Sequence, residues 1–172
     1  AEGVLSDRQI VKMIDNGHIR SEQAIEGGQI QPASLDLRLG EKAYRLRASF
    51  LPGKAAKVSE RLDEFTMHEM DLRSGAVLEK GCVYVVPLLE SLDLPSEISG
   101  AASAKSSIGR LDLLTRVITD DGVEFDRVPS GYTGPLFVEI CPRSFSVLVR
   151  FGHMLTQIIF RLGQTILTDN AL

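Results

Sequence analysis

A glutamate that stands alone among apolar residues is the first side chain whose setting suggests chemistry. Glu139 lies in the run Leu136-Phe137-Val138-Glu139-Ile140, and strand alternation would place it on one face with Phe137 and Cys141. A carboxylate is costly to bury unless it is paired or used. The position therefore predicts a partly buried acid or base, with an exposed strand face as the less favoured alternative.

A donor-rich turn precedes this glutamate in the chain. Lys105-Ser106-Ser107, followed by Gly109-Arg110, brings together cations and hydroxyls of the kind that bind phosphate oxygens. The pattern S-S-x-x-R is also short and common, and the same residues could cap and salt-bridge a helical turn. Taken alone, the pattern favours that structural role.

A carboxylate and a hairpin signal lie between the turn and the glutamate. Asp126 comes shortly before Gly131-Tyr132-Thr133-Gly134, a sequence typical of a tight connection between strands. Asp120 and Asp121, just ahead of Gly122, indicate an earlier turn. From the residue types alone, Asp126 is either a turn former or a carboxylate that contacts a ligand.

In this order the motifs resemble those of the dCTP deaminase family of the dUTPase-like superfamily. The resemblance comprises the hydroxyl and arginine turn, an aspartate before G-Y-x-G, the run V-E-I, and A-S-L-D-L-R-L-G at residues 33–40. It implies that Glu139, Ser106 and Arg110 are catalytic, with Glu139 transferring protons. Hydrolysis at C4 of cytosine requires water to lose a proton and both N3 and the departing amine to gain one. A single carboxylate that cycles can serve all three steps.

The resemblance also implies a set of substrate contacts, with the turn near the phosphates and base and the aspartate beside the deoxyribose. The expected contacts are Lys105, Ser106, Ser107, Arg110, Thr119, Asp126, Tyr132, Phe137, Val138 and Gln157. The family usually has arginine at position 105, where lysine keeps the charge but loses the bidentate fork. The segment 127–130 lengthens the approach to the hairpin. Arg116 falls near Thr119, and a strand-face charge is the alternative for it.

The cysteines and histidines do not form a zinc-binding pattern. Zinc deaminases need H-x-E and P-C-x-x-C, whereas this sequence contains neither arrangement and no C-x-x-C pair. Cys82 and Cys141 are expected to be buried structural thiols, and His18, His68 and His153 surface or packing residues. Deamination is therefore expected to need no zinc or other protein-bound metal. The resemblance implies Mg²⁺ only as the companion of the triphosphate.

Short alternating runs separated by turns predict a mainly β fold. A short helix is predicted over residues 5–17, from a Ser6 or Asp7 cap, an apolar stripe and a terminal Gly17. The charged stretch 54–69 lacks periodicity and predicts a surface excursion. Many short strands with little helix are typical of an all-β sandwich or jelly roll. The resemblance implies a distorted jelly roll, the dUTPase-like β-barrel or β-clip, with a short N-terminal helix.

Alternation from Leu35 to Leu39 leaves two interpretations of the charged residues within it. Periodicity alone favours the solvent-exposed face of a strand for Asp36 and Arg38. The resemblance instead implies a structural or subunit-contact role for both, and no catalytic one.

Length and composition predict one domain spanning residues 1–172. The chain is 44% hydrophobic and 24% charged, enough for an adequate core. It lacks the lysine-, tyrosine- and glutamine-bearing tail with which the family closes over nucleotide, so a fragment or one half of a longer two-domain chain is the alternative. A net charge of −4 disfavours a nucleic-acid polymer as partner. No apolar run of transmembrane length and no signal pattern occur, which predicts a cytoplasmic protein without a membrane partner.

Three functional hypotheses follow. The preferred one is a zinc-independent dCTP deaminase that forms dUTP and ammonia, assembled, as the resemblance implies, as a homotrimer or pseudo-trimer with sites between subunits. The second is a dUTP pyrophosphatase or an enzyme performing both steps, in which Asp126 would be the base for attack at phosphorus. The third is a non-catalytic nucleotide-binding, trimer-building domain. The acidic residue within V-E-I favours deamination.

Overall fold

Strands dominate the computed structural model, which describes residues 3–163. They are β1 (Gly3–Val4), β2 (Ile19–Ser21), β3 (Leu35–Arg38), β4 (Lys42–Leu46), β5 (Thr66–Asp71), β6 (Ala76–Leu78), β7 (Val83–Asp93), β8 (Ile98–Ala104), β9 (Leu113–Thr119), β10 (Arg127–Val128), β11 (Thr133–Pro142), β12 (Val147–Val149) and β13 (Met154–Leu162). The helices are α1 (Asp7–Asp15) and α2 (Val58–Phe65), with 3-10 turns at Gly27–Gln29 and Ser106–Leu111. The predicted mainly β class is confirmed. Neither α1 nor α2 has the length and apolar character that a membrane crossing requires, and the described residues contain no other candidate.

Antiparallel pairing joins these strands into two large sheets. The first runs β1-β13-β8-β10, with β3 also paired to β13, and the second runs β5-β4-β7-β11-β9, with β2 also paired to β7. Strands β6 and β12 form a small separate pair. The main core draws buried side chains from both large sheets and from α1, which gives the layered β architecture that the sequence predicts.

The helix α1 forms where the sequence predicts it, within narrower bounds. Ser6 caps it: its Oγ accepts from the backbone N–H of Gln9 at 3.4 Å, and the Gln9 side chain accepts from the Ser6 N–H at 2.8 Å. This reciprocal capping box satisfies two backbone donors that the first turn would leave unpaired. Ile10 and Met13 are buried against the main core.

A second, smaller apolar cluster lies on the face of the second sheet that points away from the main core. Its buried members are Leu46, Phe50, Val58, Leu62, Val85, Ile118 and Phe137. Residues 47–65, here called the covering segment, supply Phe50 and the apolar side of α2 to it. The interpretation of 54–69 as a surface excursion is wrong, because Val58 and Leu62 are only 0% and 6% exposed. Their i, i+4 spacing defines one helical face, but charged neighbours obscure so short a stripe.

Alternation along β11 sends neighbouring side chains to opposite faces of the second sheet. Val138 belongs to the main core, whereas Phe137 belongs to the smaller cluster. Glu139 has the same parity as Phe137 and pairs directly with Arg116 of β9. The ladder between β11 and β7 contains an irregularity between Pro135 and Phe137. The Glu139–Arg116 pair consequently lies on the face that the covering segment packs against.

A buried ion pair ties β3 to β7. The Nε of Arg38 donates to Oε2 of Glu90 at 2.8 Å, its backbone N–H donates to Oε1 at 2.8 Å, and the Gln29 amide donates to Oε2 at 3.0 Å. The Arg38 and Glu90 side chains are 7% and 0% exposed, and Asp36 is also buried. The solvent-exposed interpretation of Asp36 and Arg38 is therefore wrong. Their charges are internal because partners on other elements compensate them.

Candidate functional site

The side chain of Glu139 is 1% exposed and ion-paired across the sheet. Arg116 donates to its Oε2 through Nε at 2.9 Å and through Nη2 at 2.6 Å. The Arg116 side chain is 31% exposed, so the pair reaches the edge of the covered region. An unpaired buried carboxylate would be strongly unfavourable, and the guanidinium supplies the needed compensation.

Ser49 of the covering segment completes the shell around this carboxylate. Its Oγ hydrogen-bonds to Oε1 of Glu139, and Nη2 of Arg116 donates to the same Oγ at 3.1 Å. Both oxygens of Glu139 therefore have a donor from the protein. Glu139, Arg116 and Ser49 form a closed hydrogen-bonded ring, here called the Glu139 cluster.

An aromatic ring connects the Glu139 cluster to the loop between β9 and β10. The guanidinium carbon of Arg116 lies 3.9 Å from the centroid of the Phe125 ring. This distance gives a favourable cation–π contact. Phe125 also packs against the smaller apolar cluster, so the loop carrying Asp126 is anchored beside the Glu139 cluster.

Asp126 is fixed by its own carboxylate and by an unusual backbone conformation. Its φ is +64°, in the left-handed region that Asp and Asn tolerate better than most residues. Its Oδ1 accepts from the backbone N–H of Val117 at 2.8 Å. Its Oδ2 accepts no hydrogen bond from any of the residues that the structure describes. Burial raises the pKa of Asp126, and the Val117 N–H partly opposes that rise. Asp126 is both a turn former and a carboxylate with one oxygen free.

Asp126→Asn is expected to stabilise the fold at neutral pH. The raised pKa means that folding disfavours the ionised form of Asp126. Below the unfolded pKa near 3.8 the carboxyl group is protonated in both states and folding carries no penalty; the penalty for burying the charge grows as pH rises through the folded pKa. Asn keeps the acceptor for Val117 and tolerates the same φ, but it does not ionise. Thermal unfolding between pH 4 and 8 should show a Tm gap over the parent that grows with pH. Asp121→Asn is the control, because Asp121 has a similar φ of +60° but is exposed. Equal pH profiles of Tm for Asp126→Asn and Asp121→Asn would contradict the expected effect of burial.

A cavity of about 580 Å³ opens beside the end of β9. Thr119 and Tyr132 line it, and neither Glu139 nor Asp126 does. Thr119 is 1% exposed, and its Oγ1 has no hydrogen-bond partner within residues 3–163. A buried hydroxyl without a partner is uncommon and suits a ligand or water contact. The alternation of β9 places Thr119 on the face opposite to Arg116, so the cavity and the Glu139 cluster are separate.

The Tyr132 hydroxyl holds the turn that leads into β11 rather than facing free space. The hairpin predicted there is wrong, because β10 pairs with β8 whereas β11 pairs with β7 and β9. The hydroxyl accepts from the Asp120 backbone N–H at 2.9 Å and donates to the Pro135 carbonyl at 2.7 Å. Burial raises the pKa of Tyr132, which keeps the hydroxyl protonated for that donation. A contact between Tyr132 and substrate stays a prediction, and the ring is the part of the side chain left for it.

The donor-rich turn is exposed and makes none of the hydrogen bonds that Glu139 receives. Ser106, Ser107 and Arg110 are exposed and make no side-chain hydrogen bond to the described part of the chain, so the capping and salt-bridging alternative is wrong. Lys105 donates to Oδ2 of buried Asp36 at 2.6 Å. The turn precedes β9, which meets Glu139 only at Arg116. Among the described residues of one chain, neither Ser106 nor Arg110 makes a hydrogen bond to Glu139.

The remaining residues expected to contact substrate lie in separate parts of the fold. Phe137 is 7% exposed and shares the covered face with Glu139, whereas Val138 is 0% exposed in the main core. Gln157 lies on β13, where its amide donates to the Ser103 hydroxyl at 3.4 Å. Substrate contacts by these three residues stay predictions.

Sequence reasoning missed one member of the Glu139 cluster and undervalued another. Arg116 is open to interpretation as a strand-face charge, and counting outward from the turn at 131–134 does not place it opposite Glu139, because residues 120–132 separate β9 from β11. Ser49 gives no such signal, because it lies 90 positions from Glu139 in a stretch without periodicity.

Cysteine and histidine positions are compatible with the absence of a zinc pattern in the sequence. No group of three His, Cys, Asp or Glu side chains converges among residues 3–163. Cys82 and Cys141 are free thiols, but they are half-buried rather than buried. The reason is that both lie near the end of the second sheet, where Arg45 donates to Cys82 Sγ at 3.0 Å.

Comparison with known proteins identifies the family and the fold. Residues 1–164 match the family model described as the 2'-deoxycytidine 5'-triphosphate deaminase (DCD) N-terminal domain. The protein named "dCTP deaminase, dUMP-forming" from Methanoculleus marisnigri is 32% identical over 165 residues, which cover 91% of this chain and 79% of that protein.

Solved structures agree with this assignment. The 2'-deoxycytidine 5'-triphosphate deaminase from Agrobacterium tumefaciens is 55% identical, with a TM-score of 0.92 over 94% of this chain. This chain spans 49% of the Agrobacterium chain, about half its length. The dUTPase of EIAV superposes with a TM-score of 0.52 at 15% identity, over 86% of this chain and 88% of that one. The predicted dUTPase-like fold is confirmed.

Proposed function

Because the chain belongs to the family of the 2'-deoxycytidine 5'-triphosphate deaminase N-terminal domain, we propose that it catalyses hydrolysis of dCTP to dUTP and ammonia. The observation that carries the proposal is the buried Glu139 carboxylate, which Arg116 and Ser49 hold at the edge of the covering segment. A carboxylate fixed in this way can accept a proton from water and return it to the leaving group.

The proposed reaction needs one cycling carboxylate. Water adds to C4 of cytosine, its proton passes to Glu139, and Glu139 delivers that proton to N3. The new C4 hydroxyl then gives its proton, through Glu139, to the exocyclic amine. The C4–N4 bond breaks, ammonia leaves, and uracil retains the oxygen. In this proposal no protein-bound metal takes part, and Mg²⁺ accompanies only the triphosphate.

We also propose that the exposed turn acts on the active site of a second copy. Ser106, Ser107 and Arg110 are exposed donors without a partner in their own chain as far as residue 163. Glu139 in turn receives no donor from this turn. A trimer with sites between subunits would bring the two sets together, and Arg110 would then contact the substrate near Glu139.

Mixed assemblies test this arrangement. Glu139→Gln and Arg110→Ala should each be nearly inactive alone. In trimers formed by co-expression at equal levels, about a quarter of sites would combine an intact Glu139 with an intact Arg110 from the neighbour, so activity should return to about that fraction of the parent. Ammonia release by purified mixed trimers is the measurement. Mixtures as inactive as the separate variants would show that both residues act within one chain.

A second candidate function adds the release of pyrophosphate from dUTP. This candidate is favoured because the relative from Methanoculleus marisnigri is named a dUMP-forming dCTP deaminase. In this alternative the free Oδ2 of Asp126 serves as the base for attack at phosphorus. The two functions share the first step and differ in the nucleotide that accumulates.

A third candidate is a nucleotide-binding domain without catalysis. It is favoured by the donors that both oxygens of Glu139 already receive within one chain. One experiment separates all three: the chain, freed of zinc with a selective chelator, is incubated with dCTP and excess Mg²⁺, and products are resolved chromatographically. Ammonia with dUTP supports the proposal, whereas ammonia with dUMP and pyrophosphate supports the second candidate. Absence of ammonia and of both nucleotide products supports the third. Activity that returns only with zinc would overturn the metal-free mechanism.

A further inference from the structure

The direction of every hydrogen bond in the Glu139 cluster can be assigned. Arginine can only donate, so the Nη2 contact at 3.1 Å makes Ser49 Oγ an acceptor from Arg116. The ionised carboxylate of Glu139 can only accept, so the Ser49 hydroxyl directs its own hydrogen to Oε1. No alternative hydroxyl rotamer satisfies both contacts, so the ring has one proton arrangement.

This arrangement makes the two oxygens of Glu139 unequal. Oε2 accepts from both Nε and Nη2 of Arg116, which occupies its two lone pairs. Oε1 accepts only from Ser49 and keeps one lone pair. A proton taken from water can therefore enter at Oε1 without breaking the ion pair.

The exposed fractions of the side chains also favour Oε1 as the oxygen that accepts the proton. Glu139 is buried, whereas Ser49 is exposed at the rim of the covering segment. Its neighbour Phe50 is 8% exposed and anchored in the smaller apolar cluster. The serine backbone is thus held in place, and its hydroxyl hydrogen-bonds to Oε1 from an exposed position.

We propose that Ser49 is a positioning residue for the deamination reaction, holding Glu139 so that the free lone pair of Oε1 faces the attacking water. This role rests on the proposed function of Glu139. Without the hydroxyl, the carboxylate could turn about its last bond, and the reactive oxygen would no longer be fixed. Misplacing a reacting group by about 1 Å can lower a rate by about 10²-fold.

The test compares Ser49→Ala, Ser49→Thr and Ser59→Ala in the same chain. Ser59 is an exposed serine on α2 of the same covering segment, and its hydroxyl makes no hydrogen bond within the described ranges. Ser49→Ala should lower kcat for ammonia release from dCTP by about 10- to 100-fold with little change in KM. Ser49→Thr keeps the hydroxyl, its methyl group can point to solvent, and kcat should recover to near the parental value. Ser59→Ala should match the parent.

The outcomes are distinguishable. Thermal unfolding of each variant shows whether the fold is retained, and recovery by Thr separates the hydroxyl from simple packing. A parental kcat in Ser49→Ala, or a kcat in Ser49→Thr as low as in Ser49→Ala, overturns the positioning role while leaving the proposed function in place. A parental chain that binds dCTP but releases no ammonia overturns the proposed function and the role of Ser49 with it.

Discussion

Replacing Glu139 with Gln is expected to lower ammonia release from dCTP by at least about 10²-fold. Gln has nearly the same shape, its carbonyl oxygen can accept from Arg116, and its amide can donate to Ser49. It cannot take a proton from water at any useful pH. The loss should therefore appear in kcat, while the affinity for dCTP changes much less.

Ammonia release and calorimetric binding of dCTP, measured on the same preparation, check this expectation. Glu22→Gln is the control, because Glu22 is exposed and outside the Glu139 cluster. A folded Glu139→Gln protein that still turns over dCTP at near the parental rate would place the base elsewhere. Asp126, with its free Oδ2, would then be the leading candidate.

Among the substitutions proposed for this chain, Glu90→Leu is expected to cause the largest loss of free energy of unfolding. It leaves the guanidinium of Arg38 buried without its counter-charge. It also removes one of the two acceptors of the Gln29 amide, which keeps only the Asp36 carbonyl. Removing one partner of a buried pair typically costs about 3–5 kcal/mol, which would lower the Tm by roughly 6–20 °C in a chain of this size. Thermal unfolding at neutral pH is the measurement.

The double change Arg38→Met with Glu90→Leu separates the lost charge partner from lost packing. Apolar side chains of similar volume remove both charges, so the double variant should be less destabilised than Glu90→Leu alone. Glu64→Gln, which affects only the exposed pair with Arg61, should change the Tm little. A Glu90→Leu protein as stable as the Glu64→Gln control would show that the internal pair contributes nothing.

The sequence predicts most of the fold because its local signals agree with one another. Ser6 marks the start of α1, and alternating runs mark most strands, since both patterns depend on near neighbours. The covering segment could not be predicted in this way. Its helix buries Val58 and Leu62 among charged residues, and only the apolar face of the sheet beneath it explains why those two positions matter.

The candidate site was predictable to a lesser extent. The burial of Glu139 follows from its apolar neighbours. Its pairing with Arg116 is set by the register of β11 against β9, two strands joined through residues 120–132 rather than by a tight turn. The hydrogen bond from Ser49 depends on how a distant segment packs, which no local pattern records. Sequence resemblance groups Ser106 and Arg110 with Glu139, but the hydrogen bonds that Glu139 receives within one chain come from Arg116 and Ser49.

The alternation of β11 also bears on how the chain avoids misfolding. A slip of one residue against β9 would carry Glu139 into the hydrocarbon of the main core and Val138 out of it, as strand parity requires. Arg116 could not follow, so the misaligned pair of strands would hold an isolated charge, a state far less favourable than loss of ordinary packing. The same ion pair that prepares Glu139 for chemistry thereby penalises mispaired intermediates. The native alignment of these strands is selected by electrostatics as well as by shape.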